Sequence, residues 1–417
     1  MGMTTIEKIL ACNSEQAEIR PSDIVTTKVE TAILFDNNFM ATTWREILHV
    51  HDPDKVVVVF DHRAPASHVL SAQAHQTGRK FVKRFGISRF HDIGFDQGIS
   101  HAIVADYGYG LPGTVLLCSD SHTCSAGVFN LAARGVGAPD MTYAVTKGET
   151  WFQVGETVRY ELEGGLRPGV SAKDIFLHLA GTYGDHATLN VEYGGPGLAG
   201  LSMNARRTLT TMSAELSVEF ATFEPDDVML DFVRARTDRT LQPVWPDEDA
   251  VYADKRVIRL DQIEPLVALP DAVLNNSKPV ADVSGQAIDQ AFIGSCANGT
   301  LDDLAVAARV LKGNRVHDGV RLLVTPATQN IYREALRRGY VLTITEAGGV
   351  VTNATCGACG GGSLGVLGPG ETCITASTRN FKGRMGDPEA RIYMASPATV
   401  AASALQGCIA SPLEHFQ

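Results

Sequence analysis

AFIGSCANGT (291–300) is a short apolar run that stops at Ser295-Cys296, and its reading decides the fold. A buried strand that ends abruptly in reactive side chains is a strand whose carboxyl end opens on chemistry. The pattern recurs along the chain. KVVVVF (55–60) runs into Asp61-His62, TVLLC (114–118) into Ser119-Asp120-Ser121-His122-Thr123, and ETCITAS (371–377) into Thr378-Arg379-Asn380. VRLLVTP (320–326) is a further strand, followed by the helical TQNIYREALRRG, and DDLAVAARVLK (302–312) carries apolar residues at i, i+3/i+4 and i+7. Continuous apolar strands alternating with helices predict an α/β protein with parallel sheets covered on both faces. Ligands of such sheets bind beyond the carboxyl ends of the strands, which makes the four polar ends one site hypothesis.

At 417 residues the chain exceeds one ordinary core, so two or three domains are expected. The divisions read as 1–155, 156–264, a linker at 265–285 marked by prolines and an Asn-Asn-Ser turn, and 286–417. TWFQVGETVRYELEGGLRPG (150–169) predicts a hairpin closing the first unit, and no internal repeat is visible. No apolar run of about 18 residues occurs, so no membrane span is expected. The first residues lack a basic region followed by an apolar stretch, which points to a cytoplasmic protein. Net charge is −11, from 36 Lys and Arg against 47 Asp and Glu, with no basic block; nucleic acid is excluded as a main partner. An acidic protein that takes an anionic substrate must concentrate positive charge locally, so individual arginines matter.

The eight cysteines are scattered, and metal ligation suits a reducing compartment better than disulfides. Cys356 and Cys359 form a CGAC pair followed by the loop-like GGGSLGVLGPG (360–370), whereas a redox dithiol would open a helix. With Cys296 they make three thiolates, one fewer than a closed zinc site or a four-cysteine cluster uses. A metal held that way keeps a position open and acts as a Lewis acid. Cys12, Cys118, Cys124, Cys373 and Cys408 read as buried structural residues.

Asp61-His62, His101 and Asp120-x-His122 form a second constellation. Histidines beside carboxylates suit proton transfer to a leaving hydroxyl, because the acid raises the imidazole pKa. The same residue types would also serve zinc. Arg379 and Arg384, in a glycine-containing loop, suit bidentate clamping of a carboxylate. The glycines of 360–370 match no phosphate-binding pattern, so a nucleotide site is rejected.

Taken in order, DH, SDSHT, IGSCANG, CGAC and STRNFKGR resemble the aconitase superfamily, and the length and the ending YMASPATVAASALQGCI resemble large subunits of the isopropylmalate isomerase and homoaconitase type. The resemblance covers nearly the whole chain. It implies a three-domain aconitase-like large subunit lacking the swivelling fourth domain, and a [4Fe-4S] cluster on Cys296, Cys356 and Cys359 with one iron open to substrate. It implies acid pairs of Asp61 with His62, Asp120 with His101, and Glu215 with His122, His62 being the proton donor. Glu215, in TLTTMSAE (208–215), has no local signal and enters only through the resemblance. Ser121, Arg379 and Arg384 would bind a 2- or 3-hydroxy acid.

The family's base is a serine on the swivelling domain, whose motif is not found before Gln417, so a small subunit carrying it is the implied partner. Three departures point to a divergent substrate. Thr210-Thr211 stands where relatives have Cys-Asn, Thr378 stands where they have Asn, and FDNNFM (35–40) replaces a DGT-like loop. The rival functions are a cluster-dependent RNA-binding regulator and a CxxC dithiol oxidoreductase. The charge opposes the first, and the second leaves the histidine and arginine motifs unexplained.

Overall fold

The computed structural model describes residues 2–417. Contacts divide them into two units, one taking residues up to Ile93, Ser100–Gly164 and His186–Ile258, the other Gly94–Ile99, Gly165–Asp185 and Arg259–Gln417.

The first unit is built on a five-stranded sheet in the order Arg89–His91, Val56–Val59, Thr31–Phe35, Val115–Cys118, Ala132–Gly135, every pair parallel. Numbered along the chain this is 3-2-1-4-5, a doubly wound sheet whose order reverses between Thr31–Phe35 and Val115–Cys118. The valines of 56–59 are all buried, as a strand covered on both faces requires. Each such side chain contributes about 1.5–3 kcal/mol on leaving water. Val56, Val58 and Phe60 pack with Ala74 and Phe81 of the helix Val69–Phe85, which ends at left-handed Gly86.

A second sheet of this unit runs Ala221–Phe223, Asn190–Gly194, Thr157–Glu163, Asp254–Arg259. The expected hairpin at 150–169 does not form. Glu149–Gln153 pairs antiparallel with Ile24–Lys28, and Thr157–Glu163 pairs parallel with Asn190–Gly194 in the other sheet. The Gly155 bend separates the two strands instead of closing them on each other; a Cβ there would lie 2.4 Å from the Thr188 carbonyl oxygen.

The second unit holds a seven-stranded sheet. Its parallel core is Val350–Val351, Arg321–Val324, Gln290–Ile293, Thr372–Thr375, Arg391–Ala395, which in chain order is again 3-2-1-4-5. Ala291 and Ile293 face a core shared with Leu304, Ala307 and Leu311, while Phe292 faces the opposite core. The stretch expected as a linker supplies two more strands: Leu266–Ala268 runs antiparallel to Arg391–Ala395, and Ser277–Pro279 pairs antiparallel with Leu266–Ala268 at the sheet edge. Its Pro and Asn residues serve as strand ends and a tight turn of the sheet. Helix starts are specified locally. Thr300 and Asp303 form a capping box at Leu301–Leu311, and Thr328 caps Gln329–Arg337. Among the described residues no helix is long and apolar enough to cross a membrane.

Candidate active site

In the first unit, three strand ends carry carboxylates. Asp61 follows Val56–Val59 and is fully buried; its Oδ1 lies 2.6 Å from His62 Nδ1, and its Oδ2 accepts the Ser100 N–H at 2.9 Å. Asp120 follows Val115–Cys118. Its Oδ1 lies 2.8 Å from His101 Nε2 and accepts the His122 N–H at 2.8 Å, while its Oδ2 lies 3.4 Å from His62 Nε2. Three imidazoles thus meet one carboxylate. His122 Nε2 in turn lies 3.1 Å from Glu215 Oε1, on the turn Ser213–Leu216 that ends the helix Met203–Met212. The pairs Asp61–His62, Asp120–His101 and Glu215–His122 are all present as contacts.

The electrostatics follow from the packing. Burial disfavours charge on His62, but Asp61 and Asp120 outweigh it and hold the imidazole well above its usual range. Burial likewise opposes the Asp120 carboxylate, and the bonds from His101, His122 and His62 hold it well below the ordinary value. His122 is raised, against burial, by Asp120 and Glu215. His62 is the member open to solvent, with a quarter of its side chain exposed against about 5% for His101 and His122. It is the group from which a proton can leave the network.

Asp36 was missed in the sequence, although TAILF (31–35) ends in it as the other strands end in their acids. The buried carboxylate accepts the backbone N–H of His62 at 3.3 Å and that of Arg63 at 2.7 Å. Despite burial, His75, His62 and these two donors keep it below its normal range. His75 Nε2 lies 3.7 Å from Asp36 Oδ2. Two residues on, Asn38 Nδ2 donates to Ser119 Oγ at 2.8 Å. The turn at the point where strand order reverses therefore fastens both the His62 segment and the Asp120 segment. Ser121 is exposed at the start of the turn Ser121–Phe129.

In the second unit, Cys296 and Cys359 are buried and Cys356 is half-buried. Cys296 follows Gln290–Ile293 through Gly294 and Ser295, the latter at φ 71°, and lies on the short turn Ser295–Asn298. Cys356 and Cys359 follow Val350–Val351 on the 3-10 turn Gly357–Cys359. That turn packs against Ser295–Asn298. Gly357 sits at φ 60°, and a Cβ there would come within 2.5 Å of Thr325 Oγ1. The CGAC pair opens no helix, contrary to what a thioredoxin-like dithiol needs.

Burial would raise the Cys359 thiol, but the Arg384 guanidinium and the Thr378 hydroxyl bring it down to about 7. Thr378 Oγ1 lies 3.4 Å from Cys359 Sγ, and Arg384 donates through Nε to the Cys359 carbonyl oxygen at 2.7 Å with Nη2 3.7 Å from the sulfur. Ser295 Oγ and Asn298 Oδ1 are buried without a hydrogen-bond partner among the described residues, on the same turn as Cys296. Soft thiol donors, one of them with its pKa lowered by Arg384 and Thr378, and unsatisfied buried polar atoms around them fit a sulfur-ligated metal group. Arg379 is half-buried at the end of Thr372–Thr375.

The departures separate into two kinds. Thr378 does meet a cysteine, whereas Thr211 Oγ1 donates to the Arg207 carbonyl of its own helix at 2.7 Å and Thr210 Oγ1 to Ser125 O at 3.0 Å. Of the cysteines read as buried, Cys118, Cys124 and Cys373 are; Cys12, the last residue of the helix Thr5–Cys12, is exposed, and Cys408, two residues beyond the helix Pro397–Gln406, is half-buried.

Residues 37–276 and 271–407 match the model of the aconitase family (aconitate hydratase). The 3-isopropylmalate dehydratase large subunit of Mycolicibacterium smegmatis is 51% identical over 98% of this chain and 96% of that protein. The 3-isopropylmalate dehydratase large subunit 1 of Methanopyrus kandleri is 41% identical over the whole of both chains. The probable methanogen homoaconitase large subunit of Methanothermobacter thermautotrophicus is 40% identical over 100% of this chain and 98% of that one.

Proposed function

The chain belongs to the aconitase family, and from that premise we propose that it dehydrates and rehydrates a 2- or 3-hydroxy di- or tricarboxylic acid as the large subunit of a two-subunit enzyme. It is a hydro-lyase of that family, and membership implies an iron–sulfur cluster. We assign the cluster as [4Fe-4S] on Cys296, Cys356 and Cys359, three ligands that leave one iron without a protein ligand. When bound, such a cluster supplies a Lewis acid toward the substrate hydroxyl and its neighbouring carboxylate.

The observation that carries the reading is the meeting of His62, His101 and His122 on Asp120. His62, kept cationic between Asp61 and Asp120, donates its Nε2 proton to the departing hydroxyl and receives it back on rehydration. His101 and His122 keep Asp120 ionised through that exchange, and Glu215 orients His122. Arg379 and Arg384 hold substrate carboxylate, with Arg384 also stabilising the Cys359 thiolate; Ser121 offers a hydroxyl at the exposed edge. The carbon-bound proton is taken by a serine of the small subunit, the partner that the relatives' description as large subunits supports. Substrates of this reading are malates with a 3-substituent, of the isopropylmalate, homocitrate or dimethylmalate kind.

The test is anaerobic purification with iron and sulfide analysis, then EPR after mild oxidation, comparing wild type with Cys356→Ala. About four irons and a three-iron signal, both lost in the variant, are expected. Alkene absorbance should then develop when the holo-protein and its small subunit meet one of these malates. Zinc in place of iron, or no alkene from any of them, overturns the reading.

A further inference from the structure

The family's reaction leaves one feature of this chain unused. The residue after His62 is an arginine, and the DGT-like loop has become Asp36-Asn37-Asn38; the structure couples these two facts. The Arg63 N–H is held by Asp36 Oδ2 at 2.7 Å, and its side-chain Nε donates to Asn37 Oδ1 at 3.3 Å. Its Nη1 lies 2.8 Å from His68 Nε2. Nη2 makes no hydrogen bond among the described residues, and no carboxylate there forms an ion pair with Arg63.

This is unusual company for an arginine in a protein of net charge −11, on a segment that also carries Asp36 and Asp61. A solvated surface cation would not be pinned at its backbone, Nε and Nη1 by three separate groups. A structural arginine would have a carboxylate, as Arg206 has with Asp226. Arg63 instead contacts Asn37 and His68, has no carboxylate partner among the described residues and is only half-buried, one residue from the proposed proton donor. Ordering a guanidinium without satisfying its charge prepares it for an external anion.

We propose that Arg63, aimed by Asn37 and His68, is a specificity-determining residue that pairs with a carboxylate on the 3-substituent of the substrate. This rests on the function proposed above and narrows it to hydroxy acids with a third carboxylate, in place of those with an apolar branch. An isopropyl group at that position would leave the guanidinium facing hydrocarbon, with part of its hydration removed and nothing returned.

The test uses the cluster-loaded complex with its small subunit, as wild type, Arg63→Ala and Arg63→Lys. Homocitrate and 3-isopropylmalate are the two probes, followed by alkene absorbance. Arg63→Ala should lower kcat/KM for homocitrate by about ten- to a hundredfold more than for 3-isopropylmalate, chiefly through KM. Arg63→Lys should recover part of the loss, since an ammonium supplies the charge but not the fork. Equal losses on both probes, or none, overturn the assignment. If the wild-type complex turns over neither probe, the functional reading falls separately. Calorimetry with tricarballylate, which has three carboxylates and no hydroxyl, then decides Arg63. A Kd raised at least about tenfold in Arg63→Ala supports it, and an unchanged Kd overturns it.

Discussion

The five-stranded and seven-stranded sheets share one strand order, yet their carboxyl ends carry opposite kinds of chemistry. In the first, the ends of the first, second and fourth strands bear Asp36, Asp61 and Asp120, and each finds a histidine or a backbone donor within its own unit. In the second, the ends of the first and third parallel strands bear Cys296 and Cys356, and the fourth bears Thr378 and Arg379. There Ser295 Oγ, Asn298 Oδ1 and Asn380 Oδ1 have no hydrogen-bond partner among the described residues, as is true of Ser100 Oγ beside Asp61 in the first unit. The acid half pairs its three strand-end carboxylates with donors of this chain, whereas the cysteine half gathers three thiols whose surroundings suit a sulfur-ligated group. The same scaffold serves both because backbone amides and loops, not side-chain identity, make the crevice at a doubly wound sheet's reversal point.

The comparison can be broken most sharply by removing a thiol. Cys359→Ser should abolish iron binding and lower turnover by about 10³-fold or more, the several kcal/mol that a Lewis acid supplies. Iron per chain and steady-state rate check it, and a loaded, active variant would end the distinction between the halves. His62→Ala should cost about 10²–10⁴-fold in kcat with iron content unchanged, which would separate proton transfer from metal binding.

Chelating the metal should raise amide hydrogen exchange at residues 295–299 and 355–360 by more than tenfold, roughly, and leave 61–63 and 119–122 within about threefold, because only the first set is completed by the ligand. Matching increases in both sets would show the acid half to be equally dependent on it.

A pH profile sharpens the acid side. His62 has a folded pKa above its unfolded value of about 6.5, so its stabilisation is complete below that pH and lost as pH rises through the folded value. The alkaline limb of kcat/KM should accordingly lie above the usual histidine range. Asp61→Asn keeps the Ser100 hydrogen bond and removes the charge, so the limb should move to lower pH by about one unit. The smallest effect belongs to Thr378→Val. Losing the hydroxyl beside Cys359 should change denaturant stability by no more than about 1.5 kcal/mol while shifting the EPR signal of the loaded protein.

Much of both sites was legible because each strand announces itself. A run such as KVVVVF must be buried, and its stop at Asp61-His62 marks where the chain meets solvent. The same rule applied to TAILF would have found Asp36, which was read only as a departure from a family loop. The hairpin expected at 150–169 failed for a general reason. Two adjacent β-prone segments say nothing about whether their partners are each other, and Thr157–Glu163 had a parallel partner in Asn190–Gly194. The repeated strand order was invisible too, because topology is conserved by packing constraints that many unrelated sequences satisfy.

The sequence by itself determined the α/β class, the strand-end positions of Asp61, Asp120 and Cys296, and the helical character of 302–312 and of the stretch after 320–326, since burial and periodicity are local and chemical. Only the tertiary structure decided that three histidines share Asp120, that Glu215 meets His122 from 93 residues away, and that Asn37 holds Arg63 across 26. Such contacts are made by folding. They depend on the order in which strands are laid side by side, and no single segment contains that information.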